Sequence, residues 1–224
     1  MNVLVFAENK KTLKVHKSEL NVLCSFLYSL TYSYLCTPKR KSMYIAKKLR
    51  EESISEYLLY MWQVEDLIRA NGCDIDKLEQ TVVAPYGLPA EQHAELTEWY
   101  ANLVEMMRLE GVEQCGHLQI NKNIIIALTD LHIRLMHSQK FPFYQAAYYK
   151  ALPFIVELRA KGGGQEKAEL ENCFDALYGV WMLRLQRKEV GKETAVAVAD
   201  IVKFVGLLSD YYAKERAGEL ELEE

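Results

Sequence analysis

The sequence predicts an all-α protein, and three observations carry that prediction. Apolar residues recur at intervals of three and four from Ile45 to Tyr212, Gly and Pro fall where helices would stop or start, and strand-like alternation is confined to the first fifteen residues. Half the residues are apolar and 26% are charged, which is ordinary globular composition.

A first helix is expected over Tyr44–Asn71, with Ile45, Leu49, Tyr57, Leu58, Met61, Val64 and Ile68 on its apolar stripe, Ser42 as N-cap and Gly72 as stop. A short helix over Ile75–Val83 is capped by Asp74 and ends before Pro85. Pro89 suits the first position of a third helix that runs to Glu110 and stops at Gly111. In the fourth, Leu118–His137, the triplet Ile124-Ile125-Ile126 resembles a strand, but Ile120, Ile124, Leu128, Leu131 and Leu135 keep the helical period.

The fifth helix spans Pro142–Ala160. Pro153 inside it removes a backbone donor and crowds the carbonyl of Tyr149, so a kink or break is expected there. The sixth covers Gln165–Lys188, with Leu170, Phe174, Leu177, Trp181 and Leu185 on one face. The last covers Glu193–Arg216, where Val198, Ile201, Val205, Leu208 and Tyr212 form a bundle-like seam. Short connections turn consecutive helices antiparallel, so an up-and-down helical bundle of about six to seven helices is expected.

Residues 1–42 read differently. They carry seven Lys or Arg against two Glu, net +5, whereas the remainder carries twenty basic and twenty-nine acidic residues, net −9. Val3–Phe6 and Leu13–Val15 suit a hairpin, and the stretch from there to Ser42 is rich in Ser, Tyr and Leu without a clean period. The expected organisation is a poorly structured N-terminal extension over 1–42, one helical domain over 43–216 and an acidic tail over 217–224. For the extension two readings stand side by side: a real, loosely packed segment, or upstream sequence ahead of a native start at Met43. The uncharged stretch Leu20–Pro38 is interrupted by six Ser, Thr or Asn residues and lacks a clear cleavage site, so neither a membrane span nor export is expected.

Charge and cysteine content narrow the function. A domain at −9 repels phosphate backbones, which makes nucleic acid a poor partner. The five cysteines form no Cys-x-x-Cys and are odd in number, so buried free thiols in a reducing cytoplasm are expected rather than a disulfide framework or a zinc site.

The signatures of common helical enzymes are missing. The paired Glu-x-x-His of di-iron bundles and the zinc-binding His-Glu-x-x-His do not occur. Glu95-x-x-Glu98 resembles half of a magnesium motif whose second half is missing, and Gly162-Gly163-Gly164 lacks both the strand and the lysine of a phosphate loop. No metal and no cofactor is therefore expected.

Two groups remain. Trp62, Glu65, Asp66 and Arg69 lie three and four apart in the first helix, so Arg69 can pair with either carboxylate beneath the indole. They could face a ligand; the structural alternative is an interhelical ion pair or a solvated face. His132 falls on the apolar stripe of the fourth helix, either as a general base or metal ligand or as a core histidine satisfied by one hydrogen bond. Asp130, Arg134 and His137 lie opposite it on a polar stripe. Tyr144, Tyr148 and Tyr149 beside Pro153 could line a pocket or belong to the core. The ligand-binding candidates are thus Trp62, Glu65, Asp66, Arg69, His132 and Tyr148.

Several strings carry a resemblance. Ser55–Ala70 (SEYLLYMWQVEDLIRA), Tyr148–Pro153 (YYKALP) and Leu183–Gln186 (LRLQ) resemble an uncharacterised family of small helical proteins of Bacteroidetes, over about residues 43–215. The resemblance implies a cytoplasmic bacterial helical protein with a start near Met43, and it carries over no catalytic residue. The expected function is a helical interaction or regulatory domain without catalysis, engaging a protein partner or its own copy. The alternative is a small-molecule-binding or hydrolytic bundle that uses the polar patch of the first helix.

Overall fold

The computed structural model describes residues 42–161 and 167–222; the hairpin expected over Val3–Val15 lies outside them. The described residues contain eight α-helices and no strand: α1 Ser42–Glu52, α2 Ile54–Ala70, α3 Ile75–Leu78, α4 Ala90–Leu109, α5 Gln119–His137, α6 Pro142–Lys161, α7 Glu169–Leu185 and α8 Lys192–Arg216. The all-α expectation holds.

The first expected helix is two helices. Ser53 leaves helical geometry, at φ −156° and ψ 105°, and its Oγ accepts the Glu56 N–H at 3.4 Å. Serine competes for backbone donors in this way at N-caps, so the chain turns between α1 and α2 although the apolar spacing runs through the break. Asp74 caps α3 as expected, accepting the N–H groups of Asp76 and Lys77. Past Leu78 the chain keeps turning, through a π-helical turn at Glu79–Val83 and a 3₁₀ turn at Ala84–Tyr86. Pro85 sits inside that last turn, near its start where no donor is needed, and the turn ends at Gly87 in left-handed conformation.

Helices α2 and α4 end in the same way. Gly72 donates to the Arg69 carbonyl and Cys73 to that of Ile68; Gly111 donates to Arg108 and Val112 to Met107. Both glycines have positive φ, which lets the chain reverse without a Cβ clash. Helix α6 continues unbroken through Pro153. The proline is exposed, so its ring crowds no core neighbour, and the expected break does not form. Helix α7 is shorter at both ends than the sequence suggests, and Leu185, expected on its inner face, is exposed in the last turn.

The chain divides into two compact units, with the boundary between Ile126 and Ala127 in α5. In the first, α1 packs on α2, and α1, α2 and α3 all contact α4. Its core includes Leu58, Trp62, Ile68, Leu78, Leu96, Tyr100 and Met107. In the second, α6, α7 and α8 each pack on the other two, around Tyr144, Ile155, Phe174, Phe204 and Leu208. Each such side chain contributes about 1.5–3 kcal/mol by leaving water. No helix of the described residues is long and apolar enough to cross a membrane.

Candidate functional site

In the first unit, spacings of three and four along α2 put Trp62, Glu65 and Arg69 on one face, and the loop between α4 and α5 crosses it. Glu65 is wholly buried. Its Oε1 accepts the Leu118 N–H at 3.0 Å and the Asn121 amide at 2.7 Å; its Oε2 lies 2.6 Å from His117 Nδ1 and 3.9 Å from the Arg69 guanidinium. Leu118 immediately precedes α5. The carboxylate therefore caps α5 from another helix and places negative charge at its positive end.

An ionised carboxylate only accepts, so His117 donates from Nδ1 and its second nitrogen, Nε2, faces away from Glu65. The imidazole lies flat on the Trp62 indole, with ring centroids 3.9 Å apart and planes 12° from parallel. Its side chain is 22% exposed, which leaves one edge of the ring to solvent.

Arg69 holds the same loop. Its Nε and Nη2 donate to the Val112 carbonyl at 3.3 and 3.2 Å, Nη2 also meets the Gly116 carbonyl, and Nη1 bonds Asp66 at 2.8 Å. The planar guanidinium serves several acceptors at once, which an ammonium on the same stem could not reproduce. Val112 is available because the glycine stop at Gly111 turns its peptide toward α2. Beside the cluster, the Asn121 Oδ1 is buried and has no hydrogen-bond partner among the described residues.

In the second unit, His132 of α5 sits among Tyr144 and Tyr148 of α6 and Phe204 of α8, with ring centroids 4.8 to 5.8 Å away. Its Nδ1 is 2.6 Å from the Tyr144 hydroxyl. Burial holds the imidazole below its ordinary range, against a weaker upward pull from Glu169, and burial drives the Tyr144 phenol up. The phenol is thus the donor, the ring nitrogen the acceptor, and His132 is neutral with its proton on Nε2. Tyr148 donates to Glu169 Oε2 at 2.9 Å; burial and that bond push its phenol up to about 12. Burial also raises the neighbouring Cys173 thiol, and a protonated thiol is a poor nucleophile.

The six candidate residues thus fall into two groups. Trp62, Glu65, Asp66 and Arg69 share one network, and His132 and Tyr148 share another. The sequence does not point to His117, Asn121 or the carbonyls of Val112 and Gly116, since the contacts join positions 43 to 56 residues apart. The only local signal for His117 is its place between a glycine turn and a helix start. Among the described residues no group of three or more His, Cys, Asp or Glu side chains could hold a metal ion.

The first network offers a carboxylate–imidazole pair with a fixed tautomer. Such a pair can accept or donate a proton at Nε2, or simply hold a loop in place. No curated protein and no solved structure matches the chain. Over residues 43–219, which span every helix from α2 to α8 and nearly all of α1, the chain matches the family described as Domain of unknown function (DUF4924), and it belongs to that family.

Proposed function

We propose that this chain is a protein-binding helical module of the bacterial cytoplasm, an interaction or regulatory domain without catalysis of its own. One observation carries the reading: the outward side of α6 is apolar. Tyr149 is 61% exposed and Val156 56%, two turns apart on one side of the helix, while Phe143, 83% exposed, stands in its first turn on a different side. Large apolar side chains gathered on one exposed face favour a partner over water. Two further points support it. The polar groups of α2 are engaged with the α4–α5 loop, which suits a structural role. The described cysteines are free, two of them buried, as suits a reducing compartment. A bacterial source among the Bacteroidetes rests on the sequence resemblance alone.

Light scattering on the purified full chain, with affinity capture from its native lysate, tests the proposal. The expected result is a mass above the chain's own 25.9 kDa, alone or with a captured protein, that Tyr149→Asp abolishes. A strict monomer that captures nothing overturns it.

A second reading is small-molecule binding at α2. It is favoured by the His117 edge and the buried, unpartnered Asn121 Oδ1 beside it. A ligand that binds only the folded chain raises its melting temperature. In a metabolite screen, a shift present in the native chain and absent in His117→Gln supports this reading; a shift that survives the substitution removes the site.

A further inference from the structure

The exposed side of α6 has more order than an apolar patch requires. Ala146, Tyr149, Pro153, Val156 and Ala160 succeed one another at spacings of three, four, three and four, and Ala146, Pro153 and Ala160 are exposed as well. That is the spacing of a coiled-coil seam, and it faces out of the unit rather than into it. Lys150 and Glu157 run along one flank of the seam, seven residues and two turns apart.

We infer that α6 is where two copies of this chain meet, antiparallel, about a two-fold axis beside Pro153. The inference rests on the interaction reading above and names its partner. Charge decides both the occupant and the direction. Parallel pairing puts the Lys150–Glu157 flanks of the two helices on opposite sides of the seam, so neither charge meets its complement. Antiparallel pairing sets Lys150 beside the partner's Glu157, and the two-fold axis repeats that contact, so one helix supplies both halves of the complementarity. The same register sets Tyr149 opposite the partner's Ala160, and Pro153 opposite the partner's Val156. The largest side chain of the seam then meets one of the smallest, as packing without voids requires. Lys150 already bonds Asp200 of α8 at 2.7 Å, yet its side chain is 59% exposed and an ammonium has three N–H groups.

The test uses the full chain. Light scattering over a dilution series is expected to show twice the 25.9 kDa chain mass, falling to the single mass on dilution. Tyr149→Asp and Glu157→Lys are each expected to move the dissociation midpoint up by about tenfold or more, the loss typical of a central interface residue. Both positions are exposed, so the circular dichroism of the variants stays that of the native chain. Zero-length carbodiimide coupling in a mixture of light and heavy isotope-labelled chains is expected to join Lys150 of one chain to Glu157 of another, with Lys150–Asp200 as the link within a chain. A chain monomeric at every concentration, a dimer indifferent to Tyr149→Asp, or a dimer without the mixed-isotope link overturns the inference. A monomer that nevertheless binds another protein through Tyr149 overturns it while leaving the interaction reading intact.

Discussion

The carboxylate of Glu65 receives the backbone N–H of Leu118 at 3.0 Å, joining positions 53 apart and giving α5 a cap that its own sequence does not supply. Removing the side chain strands that N–H and the Asn121 amide in a buried site and takes from the half-buried His117 ring its partner. Glu65→Ala is expected to cost about 3 kcal/mol of stability. Urea unfolding measures it, and a loss below about 1 kcal/mol would show that the cap is dispensable.

His117 contributes by its ring face and by its bond to Glu65, and the two can be separated. His117→Phe keeps the stack on Trp62 and loses the bond; His117→Ala loses both. The alanine variant is expected to be the less stable by about 1 kcal/mol, the scale of a favourable ring pair. Equal losses would assign the whole effect to the hydrogen bond.

Stability is expected to fall on acidification through the titration of His132. Burial lowers its folded-state pKa, so between that value and the unfolded value, about 6.5, the unfolded chain binds more protons. The contribution is complete above about pH 6.5 and is lost as pH drops through the folded value. Melting temperatures from pH 8 down to about 5 should fall more steeply in the native chain than in His132→Gln. Parallel curves would contradict the assignment.

The turn at Ser53 is expected to be worth about 1 kcal/mol, the usual value of a helix cap. Ser53→Ala should lower stability by that amount, read by urea unfolding. An unchanged midpoint would mean that the break between α1 and α2 is imposed by packing alone.

Thiol labelling of the folded chain should separate the described cysteines. Cys115 is exposed and reacts first; Cys73 and Cys173 are buried, and burial raises both thiols. Rapid modification of Cys173 would show that the second unit opens readily.

Much of the fold is legible in the sequence because helix starts and stops are local. Asp74, Pro89, Gly72 and Gly111 mark their boundaries through backbone chemistry confined to a few residues. Ser53 is harder to read, since its cap acts inside an apolar spacing that continues on both sides. Pro153 misleads in the other direction: a proline breaks a helix where its lost bond is costly, and here it faces outward. The patch on α2 is legible for the same local reason, as its four members lie within eight residues. Its function in the fold is not, because His117, Leu118 and Asn121 come from a segment about fifty positions away.

A helix whose first turn is capped from fifty residues away records the docking of that distant segment. The amide hydrogen of Leu118 points into the Glu65 carboxylate, so it exchanges with solvent only when α2 parts from the start of α5, not when the helix end merely frays. Measured by hydrogen exchange, that single amide becomes a clock for the opening of the first unit. In refolding it should become protected in step with long-range closure, behind any amide whose acceptor lies four residues back along its own helix.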